Sequence, residues 1–317
     1  AVSTKSVNET ETTWLGEFKA EEVVGEGAFG KVYRGINKKT KETVAIKVID
    51  LEKADEDFDE VQIEIAILAD MRHPAIVAYH GSFVNHNELW IIMEFLSGGS
   101  CRDVLDQKIL FPEECVAVVM RELLLALAYV HKDGRVHRDV KAANIMLGGD
   151  GNVKLVDFGV AAQMSTRATK NTFVGTPFWI APEIIKGFGY NHKADIWSAG
   201  ITAIELAEGY PPYVDLDPMK VLHLIPKAKP PELKSGSKIF KDFVAKCLVR
   251  DPRQRMDTKD ILKHKFLKKA KKNEILVKIV NQYKDAKAKS SSTDQKNTQN
   301  TDQNKKNEKI DDWDWDF

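Results

Sequence analysis

His137-Arg138-Asp139-Val140-Lys141-Ala142-Ala143-Asn144 places a carboxylate, two cations and a carboxamide within eight residues. Asp139 is suited to orient an attacking hydroxyl and accept its proton. Lys141 offers positive charge to oxygens on which negative charge accumulates, and the Asn144 amide is an oxygen ligand for Mg²⁺. A set of this kind catalyses by placing charge rather than by forming covalent bonds, which is what phosphoryl transfer requires. An isolated His-Arg-Asp most often marks a solvated polar turn, but the complete eight-residue pattern makes that the weaker reading.

Working outward, Val116 to Tyr129 reads as an amphipathic to fully buried helix that delivers this loop. After the loop, Asn152 to Val156 reads as a short strand running into Asp157-Phe158-Gly159, and Asp157 is the second candidate ligand for Mg²⁺. Nearer the N-terminus, Gly25, Gly27 and Gly30 form a GxGxxG, a weak signal that dinucleotide-binding turns share. The flanks separate the two cases. Lys31-Val32-Tyr33-Arg34 alternates like a strand instead of opening a helix, so the glycines belong to a hairpin able to approach phosphates closely, with Val32 against the base.

Thr43 to Ile49 is a second strand, and Lys47 inside it needs anions nearby. Between Phe58 and Met71 apolar residues recur at helical spacing, with Glu64 on the border of the inward stripe; Glu64 is the expected partner of Lys47. His73-Pro74 ends that helix. Strands are expected at Ile76 to Phe83 and Glu88 to Met93, around an Asn85-His86-Asn87 turn. Glu94 to Gly99 then reads as a hinge, with the backbone of Glu94 and Leu96 facing an adenine edge and Met93 gating the depth of the pocket.

The ordered set GxGxxG, Val44-Ala45-Ile46-Lys47, Glu64, the 137–144 loop, Asp157-Phe158-Gly159 and Ala181-Pro182-Glu183 resembles that of eukaryotic protein kinases, over roughly Phe18 to Leu267. The resemblance implies an α+β, two-lobed fold: a β-rich N-lobe with one helix (18–93), the hinge (94–99) and a mainly helical C-lobe (100–267). It implies ATP and Mg²⁺ as cofactors, protein substrates, and Val24, Ala45 and Met146 as further nucleotide contacts. Lys141 marks the serine/threonine type. Asn171 to Glu183 looks like the activation segment of sterile-twenty-like kinases, and Glu88 to Phe95 with Lys193 to Ser198 resembles their germinal-centre branch. There the threonine matching Thr172 is phosphorylated, commonly by a second copy, which implies a homodimer for that step. Arg138 would receive the phosphate, Thr176 would contact Lys141 and Asp139, and Val160 implies threonine as the preferred acceptor. Asp195, beside the apolar stretch Ile196 to Leu206, is expected buried and bonded to the catalytic-loop backbone. Glu183 and Arg255 are expected to form a buried pair, although Met256 stands where the family pattern has a proline.

Composition is that of an ordinary soluble globular protein: 317 residues, 43% hydrophobic and 30% charged, with formal net charge +0. That balance gives no field for nucleic acid. Cys101, Cys115 and Cys247 fit no metal pattern and suit burial in a reducing compartment. The most apolar run, Val116 to Val130, is interrupted by Arg121 and Glu122, so no stable membrane insertion is expected; residues 1–17 read as a polar extension and the cytoplasm as the location. Beyond 267 the chain is basic, with an apolar remnant at Ile275, Leu276, Val277, Ile279 and Val280 that reads as a short helix packed on the large lobe or on a partner. Ser290 to Lys309 is too polar to bury a core and reads as disordered. The acidic, aromatic end at Trp313 to Phe317 reads as a docking peptide for a helical-repeat scaffold protein. Two rival readings have sequence arguments against them. A kinase-like scaffold would not need the intact Lys47, Asp139 and Asp157. A small-molecule phosphotransferase should lack the 172–183 segment.

Overall fold

Val44, Ile46 and Val48 alternate with Ala45 and Lys47, and in the computed structural model this alternation forms strand β3 of a five-stranded antiparallel sheet. The structure describes residues 16–27, 30–52, 65–157 and 177–289. The strands are β1 (Phe18–Gly27), β2 (Gly30–Asn37), β3 (Thr43–Asp50), β4 (Tyr79–Asn85) and β5 (Glu88–Glu94), in the order β1-β2-β3-β5-β4. Phe18, Val44, Ile46, Val48, Phe83 and Ile92 pack on one face. Ile49, Leu89 and Ile91 cluster separately, with Ile65 from a helix, α1, at 65–70. Side chains directly opposite one another in a sheet share a face. The pairs Val32–Lys47, Ala45–Met93 and Lys47–Ile91 therefore set Val32, Ala45, Lys47 and Met93 side by side.

The second lobe contains α2 (Cys101–Asp106), α3 (Glu113–Lys132), the hairpin β6 (Ile145–Leu147) and β7 (Val153–Leu155), and α4 (Pro182–Ile185). It continues with α5 (His192–Glu208), α6 (Pro218–Leu224), α7 (Lys238–Cys247), α8 (Thr258–Ile261) and α9 (Lys265–Lys268), and ends in α10 at 277–289. α5 is buried on every side from Ala194 to Leu206, so its polar members Asp195, Ser198, Thr202 and Glu205 must find partners inside the protein. This α+β, two-lobed arrangement is the one expected.

Several boundaries move. α3 extends from Glu113 to Lys132 rather than from Val116 to Tyr129; Glu113 and Glu114 in the first turn and His131 and Lys132 in the last complement its dipole. The expected strand from Ile76 starts at Tyr79, because residues 75–77 bond to β7 instead: Val77 N–H donates to Leu155 and Leu155 N–H to Ala75. Glu94, assigned to the hinge, is the last residue of β5. The apolar remnant beyond 267 is the buried stripe of α10 and the turn before it, Leu276, Ile279, Val280 and Tyr283, joined to the core of the large lobe. Residues 1–15 and 290–317, with the aromatic terminus, lie outside the described residues.

Candidate active site

The 137–144 loop is held from below by α5. The N–H groups of His137 and Arg138 each donate to the Asp195 carboxylate at 2.9 Å, and His131 Nε2 lies 2.7 Å from it. Asp195 is fully buried; burial pushes its carboxyl up, but the donors outweigh this and hold it below the ordinary aspartate value. These bonds fasten a loop in which Arg138 adopts φ 71°, a left-handed conformation that a non-glycine residue keeps only under constraint. Tyr190 adds a hydroxyl donor to the Arg138 carbonyl at 2.9 Å. Burial keeps the His137 imidazole below the usual histidine range. The neutral ring, with Nε2–H donating to the Val156 carbonyl at 3.1 Å and Nδ1 accepting from Asp139 N–H at 3.3 Å, satisfies both contacts.

On that platform Asp139, Lys141 and Asn144 converge. Lys141 Nζ is 2.8 Å from Asp139 Oδ2, and Asn144 Nδ2 donates to both the carbonyl and Oδ2 of Asp139 at 2.8 Å. Both Asn144 amide hydrogens are thereby engaged, and its Oδ1 remains as an acceptor. Asp157 stands at the end of β7's extension with φ 65°, and its Oδ1 lies 3.4 Å from Lys47 Nζ. Lys47 therefore bridges from β3 to the second lobe. The expected Lys47–Glu64 pair, the Arg138–Thr172 contact and the Thr176 contacts all lie outside the described residues.

Val24, Leu96 and Met146 line one cleft of about 330 Å³ between the lobes. Val32, Ala45, Lys47 and Met93 lie on the sheet face from which Lys47 reaches Asp157. Gly25 pairs with Val32, and Gly27 pairs with Gly30 where the hairpin closes. Gly30 has φ 150°, and a Cβ there would lie 2.0 Å from the Val48 carbonyl oxygen, so only glycine fits. The Glu94 carboxylate accepts from Ala78 N–H at 2.6 Å and pairs with Lys154 at 2.7 Å, tying the end of β5 to β7.

A family model described as "Protein kinase domain" matches residues 18–267. The chain is a protein kinase. The serine/threonine-protein kinase ppk11 of Schizosaccharomyces pombe is 46% identical over 270 residues, 84% of this chain and 86% of that protein. The serine/threonine-protein kinase KIC1 of Saccharomyces cerevisiae is 46% identical over 273 residues, again 84% of this chain but 25% of the longer protein. The kinase is of the serine/threonine type, within the sterile-twenty-like group, and transfers phosphoryl groups from ATP to protein substrates with a divalent metal. Among the described residues no helix is long and apolar enough to cross a membrane.

The kinase also carries residues that sequence reasoning passed over. Glu205, fully buried on α5, accepts from Ala142 N–H at 3.0 Å and from Trp179 Nε1 at 2.9 Å, and its other oxygen lies 3.5 Å from Arg102. Burial pushes its carboxyl up, while those donors pull the other way. The same signal that singled out Asp195, a lone carboxylate against an apolar run, was present at Glu205 inside Ile196 to Leu206. The His137 and Tyr190 contacts had no such signal, because a histidine in the motif and a tyrosine fifty residues later are joined only by folding.

Proposed function

We propose that Asp139 is the catalytic base of this kinase, that Lys141 stabilises charge on the transferring phosphoryl group, and that Asn144 and Asp157 hold Mg²⁺. The observation that carries the reading is the convergence of Lys141 and Asn144 on Asp139 at 2.8 Å. In protein kinases phosphoryl transfer depends on positioned charge rather than on covalent chemistry by the protein. Lys141 and the Asn144 amide hold the Asp139 carboxylate as an oriented anion, able to accept a proton from a substrate hydroxyl. The donor set fits the metal: Asn144 Oδ1 is left free by its own amide, and Asp157 supplies a hard carboxylate. Two oxygen donors of this kind suit Mg²⁺, an ion that keeps water and phosphate oxygens in its shell. Bound Mg²⁺ would neutralise charge on the nucleotide phosphates. Lys47 orients those phosphates, with Glu64 as its partner in the active arrangement, and the Gly25–Gly30 hairpin covers them. Val24, Val32, Ala45 and Met146 enclose the base, Met93 limits the depth, and the backbone of Glu94 and Leu96 reads its edge.

The regulatory reading is phosphorylation of Thr172 by a second copy, with Arg138 as receiver. In its support, Arg138 Nε is buried without a partner among the described residues, a donor awaiting an anion. Thr176 shapes the substrate site, threonine is the preferred acceptor, the Trp313–Phe317 terminus docks a helical-repeat scaffold, and the enzyme works in the cytoplasm. The test is phosphorylation of a threonine peptide by the parent, Asp139→Asn and Thr172→Ala. Loss of the base lowers kcat by about 10²- to 10⁴-fold. Activity in Asp139→Asn equal to the parent overturns the assignment of the base; full activity in Thr172→Ala overturns only the switch.

A further inference from the structure

The family match ends at residue 267, yet ten residues later α10 lies against the hinge. Its approach is anchored by Arg121 of α3, whose guanidinium donates to the Lys271 carbonyl at 2.8 Å and to Asn273 Oδ1 at 2.7 Å. Leu276, Ile279, Val280 and Tyr283 recur at helical spacing and are buried at 0%, 3%, 0% and 7% exposure, so the register of the helix on the lobe is set by its apolar stripe. That register aims Tyr283 at Gly99. Gly99 has φ 71°, and a Cβ there would lie 2.8 Å from the Tyr283 ring, so the hinge glycine and the ring occupy adjoining space with none to spare. One residue on, Lys284 Nζ lies 3.3 Å from Ser97 Oγ of the hinge. One turn on, the Lys287 ammonium stands 6.0 Å from the centroid of the Tyr283 ring. Tyr283, Lys284 and Lys287 line the same cleft as Val24, Leu96 and Met146.

We infer that α10, although outside the matched domain, is the outer wall of the nucleotide cleft, and that Tyr283 and Lys287 help to set the enzyme's affinity for ATP. This rests on the reading of that cleft as the nucleotide site. Tyr283 acts through Gly99: the ring fixes the exit of the hinge, and with it the backbone of Leu96 that faces the adenine edge. Lys287 acts through charge, adding a cation at the mouth through which a polyanionic nucleotide enters. Neither residue reaches the Asp139 cluster, so the effect falls on binding and not on the chemical step.

The experiment measures KM for ATP, kcat and direct binding of a fluorescent ATP analogue on the full chain. The variants are Tyr283→Ala, Tyr283→Phe, Lys287→Ala and Lys278→Ala, with thermal unfolding to confirm that each is folded. Lys278 carries the same charge on an exposed position of α10 and does not line the cleft. Tyr283→Ala should raise KM and the analogue's Kd severalfold with kcat within twofold, while Tyr283→Phe, which keeps the ring, stays near the parent. Lys287→Ala should raise KM in low salt and less so in high salt, and Lys278→Ala should not. Folded Tyr283→Ala and Lys287→Ala with the parent's KM and Kd would overturn the inference. A Val24→Asp control separates the two readings: undiminished nucleotide binding and activity with a negative charge placed in the cleft would instead remove the nucleotide assignment of the cleft.

Discussion

Asp195 shows how much one buried carboxylate does. Replacing it with alanine orphans the N–H groups of His137 and Arg138, each at a cost of about 1–3 kcal/mol when buried without a partner. Asp195→Ala should lower both the free energy of unfolding in urea and kcat, because the same two bonds hold the backbone beside Asp139. The pH dependence has a definite sign. The folded-state pKa lies below the ordinary aspartate value of about 3.9, so this contribution is fully present above that pH and is lost as pH falls through the folded pKa. Asp195→Asn should therefore be less stable than the parent near neutrality, and the gap should close on acidification; a constant gap down to pH 3 would contradict the ionised assignment. Lys141→Ala belongs to the same scale but acts on chemistry alone. With Lys141 Nζ 2.8 Å from Asp139, its loss should lower kcat by about 10²- to 10³-fold with little change in KM for ATP.

Between elements, the Glu183–Arg255 pair joins α4 to the turn before α8. Its two bonds are 2.6 and 3.0 Å and both side chains are buried; Arg255 also donates to the carbonyls of Val249 and Lys193 and lies over Trp197. Removing one partner leaves the other charge buried, so Arg255→Ala should cost about 3–5 kcal/mol in denaturant unfolding. Arg255→Lys should recover only part of that, since an ammonium cannot reproduce the fork. This pair was legible in the sequence once Ala181-Pro182-Glu183 had been recognised. The start of β4 was not legible: Ile76 and Val77 have strand-like composition, but their backbone partners are on β7, some eighty residues away.

Across the whole molecule, burial governs the cysteines and the C-terminal helix alike. Burial pushes the Cys115 thiol up to about 11 and raises Cys101 and Cys247 as well, so thiolate is scarce at neutral pH. All three are buried and free. Iodoacetamide at pH 7.5 should leave the native chain unlabelled and modify all three sites in urea; rapid native labelling of any one would show that its pocket opens. Leu276, fully buried at the foot of α10, should cost about 2–5 kcal/mol when changed to alanine, read as a lowered Tm. That loss would make α10 part of the folded core and not a detachable tail.

Local chemistry in the sequence determined the order of its motifs and the residue types at the catalytic loop, because each of these depends on short spacings: a glycine hairpin, alternation along a strand, a carboxylate two residues from a lysine. The two-lobed α+β class followed from the family resemblance that those motifs carry. Beyond Asp195 and the Glu183–Arg255 pair, tertiary structure alone decided which side chains hold those motifs in place. Glu205 under Ala142, the His137 ring on Val156, Lys154 against Glu94 and Tyr283 against Gly99 unite residues from 19 to 184 positions apart. Such pairings are set by the packing of helices whose apolar stripes specify that they are buried but not what they are buried against. The physical reason is that hydrophobic burial has no direction. Buried polar atoms then select among the possible packings, because each requires a partner within hydrogen-bond distance.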